Sequence, residues 1–388
     1  METDQIDLTP TEPRRSAPTA AILRILQVAI LLYLFLFAIS LLGGAFKLFG
    51  KSFSEALISG TSNPVIGLMI GLLATSLIQS SSSTTSIVVG LVAAGALTVE
   101  GAIPIIMGAN MGTTVTNTLV AMTSINRRGE FVRAFSGATM HDFFNLMAIM
   151  IMFPLEQAFH GLEKTATWLS SHLLGTGAGL EFHSPVKAIV KPVVKLVQHG
   201  LVDNAGLGKW VAGGIMTGLA LALIFITLAS LTRVLKSLVL HRTEGKFQKF
   251  VRKGGVGAMF VGMLVTVSVQ SSSITTSLLV PLIGAGIVPL EGAFAVTLGA
   301  NVGTTVTALL ASLTGNVAAV TVALVHLCFN LSGIIIIYPL GFLRRIPIRL
   351  ARGLAERTAD NRWFAAVYMV GVFFVLPMVF VMLDRWFG

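Results

Sequence analysis

The chain has 388 residues, of which 54% are hydrophobic and only 11% charged, with a mean hydropathy of +0.85. A soluble domain carries about a quarter charged residues, so the composition excludes a water-soluble globule and requires a polytopic, all-α membrane protein. The formal charge of +10 does not point to nucleic acid, because the basic residues cluster in loops between apolar spans, as the positive-inside bias places them. The one cysteine, Cys328, excludes an internal disulfide and leaves the redox compartment open.

Residues 1–20 form a polar tail with Arg14 and Arg15, expected in the cytoplasm. The apolar run 21–43 is about long enough to span a bilayer and longer than a signal-peptide core, so it is expected to be a retained first helix. A first repeat occupies 44–155, and an outer loop 156–207 carries a short amphipathic helix near Trp168. That loop also holds Lys187, Lys191 and Lys195, against the charge bias. A connecting span near 208–232 leads to the basic run from Arg233 to Lys253. A second repeat fills 254–343, its last span near 316–343. Residues 344–388 are expected to be a basic cytoplasmic loop followed by a last span near 363–384, with the C-terminus outside.

The repeats are visible letter by letter. Residues 79–116 read QSSSSTTSIVVGLVAAGALTVEGAIPIIMGANMGTTVT and residues 270–307 read QSSSITTSLLVPLIGAGIVPLEGAFAVTLGANVGTTVT, with Gln79, Glu100 and Asn110 matching Gln270, Glu291 and Asn301 at one constant offset. After a six-residue length difference, His141-Asp-Phe-Phe-Asn145 matches His326-Leu-Cys-Phe-Asn330. Internal repeats holding interrupted apolar helices are a signature of secondary transporters. With the Arg14/Arg15/Arg24, Arg127/Arg128/Arg133, Arg233–Lys253 and Arg344–Arg362 clusters on one side, each repeat crosses an odd number of times and the two are inverted. Residues 64–78 are too few to span. Residues 64–97 are therefore expected to form a re-entrant hairpin and residues 102–124 a single crossing.

Unpaired polar groups cost several kcal/mol in hydrocarbon, so polar irregular backbone there is buried in protein or lines a cavity. Gln79–Ser86 is eight polar residues in a row at the expected hairpin tip. Gly108 and Gly112 are expected to break the following helix at a similar depth, and repeat 2 to do likewise. Such breaks offer free helix amides to anions and free carbonyls to cations, and Ser, Thr, Gln and Asn side chains serve both. Neither motif contains Lys or Arg, so an anion would need its charge offset by co-bound cations. That favours cation-coupled anion transport over mere close helix packing by small residues.

The doubled QSSS, the doubled GANxGTTxT and HDFFN resemble the type II sodium-dependent phosphate cotransporters, over most of the chain from about Ile22 to Trp386. The chain looks like a bacterial member, lacking the long disulfide-bridged outer loop of the vertebrate proteins. The resemblance implies symport of sodium with inorganic phosphate by alternating access in the plasma membrane, with no cofactor beyond the coupling ion. It implies a phosphate site at Gln79, Ser80, Ser81, Ser82, Gln270, Ser271, Ser272 and Ser273. It also implies sodium sites drawn from Gln79, Ser80, Asn110, Thr113, Thr114, Ser271, Asn301, Thr304, Thr305 and Thr307. Another oxyanion, or coupling to protons, is the alternative within the same class.

Ionisable residues inside spans are functional candidates. His141 and His326 nonetheless have Asn145 and Asn330 four residues on, on the same helix face, and interhelical hydrogen bonding is the expected role. Asp142 has no counterpart, the matching residue being Leu327. Glu100 and Glu291 fall at hairpin-to-helix turns, where they suit helix N-termini. A serine hydrolase would need one serine activated by an adjacent base; tripeptides of serine in both halves do not supply it, and no enzymatic activity is expected.

Overall fold

The computed structural model describes residues 17–174, 185–239, 251 and 254–387, and these are helical with no strand among them. Among the described residues, six helices are long and apolar enough to cross a membrane. They are α1 (Ala17–Phe49), α7 (Arg128–Phe159), α10 (Lys209–Val239), α13 (Leu290–Ser312), α14 (Val317–Ile337) and a last one between Trp363 and Trp386. Arg14 and Arg15, and most of the basic run after Arg233, lie outside the described residues.

Between α1 and α7 the chain is built from short pieces: α2 (Lys51–Gly60), α3 (Pro64–Ile78), α4 (Ser81–Ala94), α5 (Val99–Met111) and α6 (Val115–Met122). Asn63 caps α3, accepting from the Val65 amide ahead of Pro64 at the first position. At 15 residues α3 rises about 22 Å, short of a bilayer core of about 30 Å. It ends at Gln79, and α4 returns after a two-residue turn, which gives the expected hairpin. The pattern recurs with α11 (Gly255–Val269) and α12 (Ser272–Gly284).

Close backbone approach fixes how each hairpin meets its neighbour. α3 packs on α5 and α11 packs on α13, with glycines at the crossings. A Cβ on Gly71 would fall within van der Waals contact of the Ile105 carbonyl oxygen, and one on Gly108 would strike that of Leu68. Gly262 and Gly299 stand in the same relation to Val296 and Met259. These are the small-residue interfaces expected where helices pack in a bilayer.

The hairpins flank α7 at opposite ends. Pro64 and Thr98, which border the first hairpin, share a cleft with Glu156 and His160 at the end of α7. At its start, Arg133 donates from Nε to the Gly284 carbonyl at 2.8 Å, where the second hairpin ends. α13 is the most enclosed of the long helices, with 78% of its apolar window buried, against 11% for the last span. The first therefore forms the centre of the bundle and the second its outside.

Two stretches differ from the sequence expectation. The basic segment expected as a loop over 344–362 is a helix, α15 (Gly341–Asp360), and the preceding span stops at Ile337. Ile348, Ala351, Ala355 and Thr358 make a buried stripe at helical spacing packed along α7, and Arg128 pairs with Asp360. The outer segment holds the expected helix around Trp168, α8 (Gly161–Leu173), and a second amphipathic one, α9 (Pro185–His199). α9 lays Val190 and Val194 against α1.

Candidate functional site

Gln79 and Gln270 take left-handed backbone conformations, with φ 58° and 56°. This is uncommon for a residue with a side chain, and it occurs at the same place in both repeats. It stops one helix, and the next residue starts another. Ser80 and Ser271 are extended N-caps whose hydroxyls accept from the amides of Ser83 and Ile274. Each turn thus places the carbonyl end of one helix against the amide end of the next, the arrangement that can serve a cation and an anion together.

The glutamine side chains are pinned in matching ways. Thr116 donates from Oγ1 to Gln79 Oε1, and Thr307 donates to Gln270 Oε1, both at 2.8 Å. Gln79 Nε2 donates to the Ser76 carbonyl and Gln270 Nε2 to that of Val267. The sequence motifs mark Thr307 but not Thr116, although the constant offset between the repeats pairs the two. The polar run is not all turn: Ser81 to Ser86 form the first turns of α4 and are buried, and Ser272 is buried in α12 while Ser273 is partly exposed.

The second motif departs from expectation in one repeat. In repeat 1 the helix carrying GANMGTT breaks into a 3₁₀ turn at Gly112–Thr114. In repeat 2, α13 runs unbroken through GANVGTT. The expectation that glycine permits a break in both repeats is therefore corrected. Gly112 has φ −66°, open to any residue, and its role, like that of Gly303, is to let the neighbouring hairpin approach. Thr304 and Thr305 bond back to the carbonyls of Ala300 and Val302. Thr113 and Thr114 are buried at the break, and the Thr114 hydroxyl faces the Asp142 carboxyl without reaching hydrogen-bond geometry.

Asn110 and Asn301 join the histidines in a reciprocal network between the repeats. His141 Nε2–H donates to Asn301 Oδ1 at 2.8 Å, Asn301 Nδ2 to Asn145 Oδ1 at 2.9 Å, and Asn145 Nδ2 to the Asn110 carbonyl at 2.8 Å. In return His326 Nε2–H donates to Asn110 Oδ1 at 3.0 Å, Asn110 Nδ2 to Asn330 Oδ1 at 3.0 Å, and Asn330 Nδ2 to the Asn301 carbonyl at 3.1 Å. Asn145 Nδ2 also lies 3.1 Å from His141 Nε2, a nitrogen that cannot accept while it donates to Asn301, so the tautomer is set by the asparagine oxygen. All six side chains are buried. The interhelical role expected for the histidines is the one observed, and it takes up the two asparagines as well.

Asn117 lies just beyond the repeated segment 79–116. Its Nδ2 donates to Thr276 Oγ1 at 2.9 Å, and its Oδ1 accepts from Ser277 at 2.7 Å. It ties the first repeat to the second hairpin, and Ala308 stands at the matching place. Only the polar side chain inside an apolar helix could have drawn attention to it. Glu100 and Glu291 lie in the first turns of α5 and α13. There they suit the helix dipole, while the cap of α5 is Thr98, accepting from the Gly101 amide.

No solved structure matches the chain. Its sequence is 35% identical to sodium-dependent phosphate transport protein 2A of Rattus norvegicus, over 94% of this chain and 69% of that protein. It is 36% identical to the 2A protein of Ovis aries, over 90% and 66%. It is 34% identical to the 2B protein of Homo sapiens, over 89% and 63%. The chain thus spans about two thirds of the length of these relatives. The family model described as Na+/Pi-cotransporter matches residues 34–178 and 223–341, both repeats included, and the chain belongs to that family.

Proposed function

We propose that this chain is a sodium-coupled symporter that imports inorganic phosphate by alternating access. The observation that carries the reading is the pair of glutamine turns, each joining a helix carbonyl end to a helix amide end within a family of sodium/phosphate cotransporters. Phosphate is held by Gln79, Ser80, Ser81 and Ser82 together with Gln270, Ser271, Ser272 and Ser273. Sodium takes its oxygens from Gln79, Ser80, Thr113, Thr114, Ser271, Thr304, Thr305 and Thr307, and from Asn110 and Asn301 when the interhelical network opens. None of these residues is a lysine or arginine, so sodium supplies the positive charge that a phosphate dianion requires, which couples the two fluxes.

The placement of the hairpins at opposite ends of α7 supports an inverted pair of repeats whose tips meet in mid-membrane. Asn63 donates to Asp384 at 2.8 Å, which supports a C-terminus on the same face as the mouth of the first hairpin. We assign that face to the outside and the Arg128 end of α7 to the cytoplasm of a bacterial inner membrane, with the N-terminus cytoplasmic. The test is uptake of labelled phosphate into proteoliposomes. Uptake collapses when sodium is replaced by choline at constant pH. Undiminished uptake driven by a proton gradient alone overturns sodium coupling.

A further inference from the structure

Lys187, Lys191 and Lys195 recur every four residues on α9 and share one helix face. Opposite them stands Lys47, in the last turn of α1. All four lysines border one hollow of about 220 Å³, together with Ser40, Thr314 and the last turn of α4. The Ser40 hydroxyl is shielded from solvent and has no hydrogen-bond partner. Among the described residues, no acidic side chain lines the hollow. The Lys187 amine is held below the ordinary lysine range, first by burial and then by the charges of Lys47 and Lys191. Like charges gathered in a concave wall focus potential and draw multivalent anions.

The position of the hollow sharpens its meaning. It opens beside α4, the returning arm of the first hairpin, and beside Thr314, where α13 ends. Four lysines here also run against the bias that keeps basic residues on the inner face. The other sides of α9 are apolar: Val190 and Val194 are buried on α1, while Ile189 and Leu196 are exposed. The helix thus lies as an interfacial one does, with its basic side turned to the hollow.

We propose that this lysine hollow is a second, peripheral site for a phosphate-group oxyanion on the outer face. It rests on the outward placement and the phosphate substrate inferred above. Two sources share the required chemistry, free inorganic phosphate and the headgroup of an anionic phospholipid, and one experiment separates them. The full chain is placed in nanodiscs of phosphatidylcholine, with or without phosphatidylglycerol. It is then pulsed with a water-soluble amine-acylating ester, with or without inorganic phosphate at matched ionic strength, and each lysine is quantified by mass spectrometry. Acylation of Lys47, Lys191 and Lys195 is expected to slow by roughly threefold or more, while Lys51, which pairs with Glu55 outside the hollow, is unchanged. Protection by added phosphate in neutral discs identifies the free ion, and protection by phosphatidylglycerol alone identifies the headgroup. Equal rates in all four conditions overturn the site. The triple variant Lys47→Gln/Lys191→Gln/Lys195→Gln is expected to raise the KM for phosphate several-fold if the free ion is the ligand. Failure of wild-type uptake would bear on the transport reading, whereas the acylation pattern reports on the hollow independently of transport.

Discussion

In repeat 1 the segment carrying GANMGTT is interrupted at Gly112–Thr114, whereas its counterpart in repeat 2 runs unbroken from Leu290 to Ser312. The difference extends to the polar atoms around it. Thr75 Oγ1, Ser86 Oγ, Thr114 Oγ1 and Asp142 Oδ1 are buried without partners. At the four matching places in repeat 2, Thr266 donates to Thr275, Ser277 donates to Asn117, and Thr305 donates to the Val302 carbonyl. The fourth is Leu327. A buried oxygen without a partner costs about 1–3 kcal/mol. Repeat 2 is thus a satisfied scaffold, with His326 Nδ1 its one orphan on the same criterion among the described residues. On the transport reading proposed above, the unpaired oxygens of repeat 1 are the ones a coupling ion would use. Duplication supplies two copies of the hairpin and the helix that follows it, and divergence at these positions makes the copies unequal in their unpaired polar atoms.

The largest test of the comparison is all-or-none. In a Cys328→Ser background, Thr98→Cys and Pro289→Cys place thiols at matching N-terminal helix positions, both exposed. Thr98→Cys is expected to react with an impermeant thiol reagent from outside, and Pro289→Cys from the cytoplasm alone. If both label from one side, the repeats are not inverted and the shared central site is lost with the inversion.

Next in size is charge at the glutamine turns. Gln79→Glu and Gln270→Glu keep the threonine bond to Oε1 but set a carboxylate beside a bound phosphate. At 4–5 Å and an effective dielectric near 20, each charge pair repels by about 3–4 kcal/mol, and sodium-driven phosphate uptake is expected to fall a hundredfold or more in either variant. Gln79→Met, which loses the same amide donor without adding charge, is expected to retain more uptake. Loss in only one half would assign phosphate to that repeat, and wild-type uptake by both at normal abundance would remove the turns from the site.

What the sequence discloses and what it hides follow the physics of each signal. The repeats, the short hairpins and the spans are legible because bilayer thickness turns residue counts into topology: 15 residues before Gln79 cannot cross. The left-handed turn at Gln79 and Gln270 is marked by the onset of a polar run. The glycines mislead, because a glycine for backbone freedom and a glycine for close approach look alike in sequence; Gly108 and Gly299 serve the second purpose. α15 is hidden by its arginines, which draw attention to sidedness and away from the stripe of Ile348, Ala351 and Ala355. His141 with Asn145 can be read as one helix face, but that their partners are Asn301 and Asn110 is a property of how the repeats meet, which no single stretch encodes.

A smaller effect is expected where the scaffold half is tied. Asn117→Ala removes the bonds to Thr276 and Ser277. With two hydrogen bonds lost at about 1 kcal/mol each, the variant is expected to be less stable by about 2 kcal/mol, read as a lower midpoint of thermal unfolding in detergent. Uptake should fall with it, because the second hairpin is no longer held against the first repeat. An unchanged midpoint would mean that this tie contributes nothing to the packing of the second hairpin.

The smallest expected effect has the opposite sign. Thr114→Val replaces a buried hydroxyl that has no partner by a methyl of similar size. The unliganded protein should therefore gain up to about 1 kcal/mol of stability, while sodium loses an oxygen and its KM rises. Thr305→Val, the matching change, deletes a hydroxyl that bonds to the Val302 carbonyl at 2.7 Å and should leave stability unchanged or slightly lower. Thermal midpoints of both variants, measured in choline and in sodium, give the comparison directly. Sodium should stabilise the wild type more than Thr114→Val, because a ligand stabilises the fold in proportion to its affinity. An equal sodium response in both would show that the orphan oxygens of repeat 1 are not what the ion uses, and the inequality between the halves would then concern packing alone.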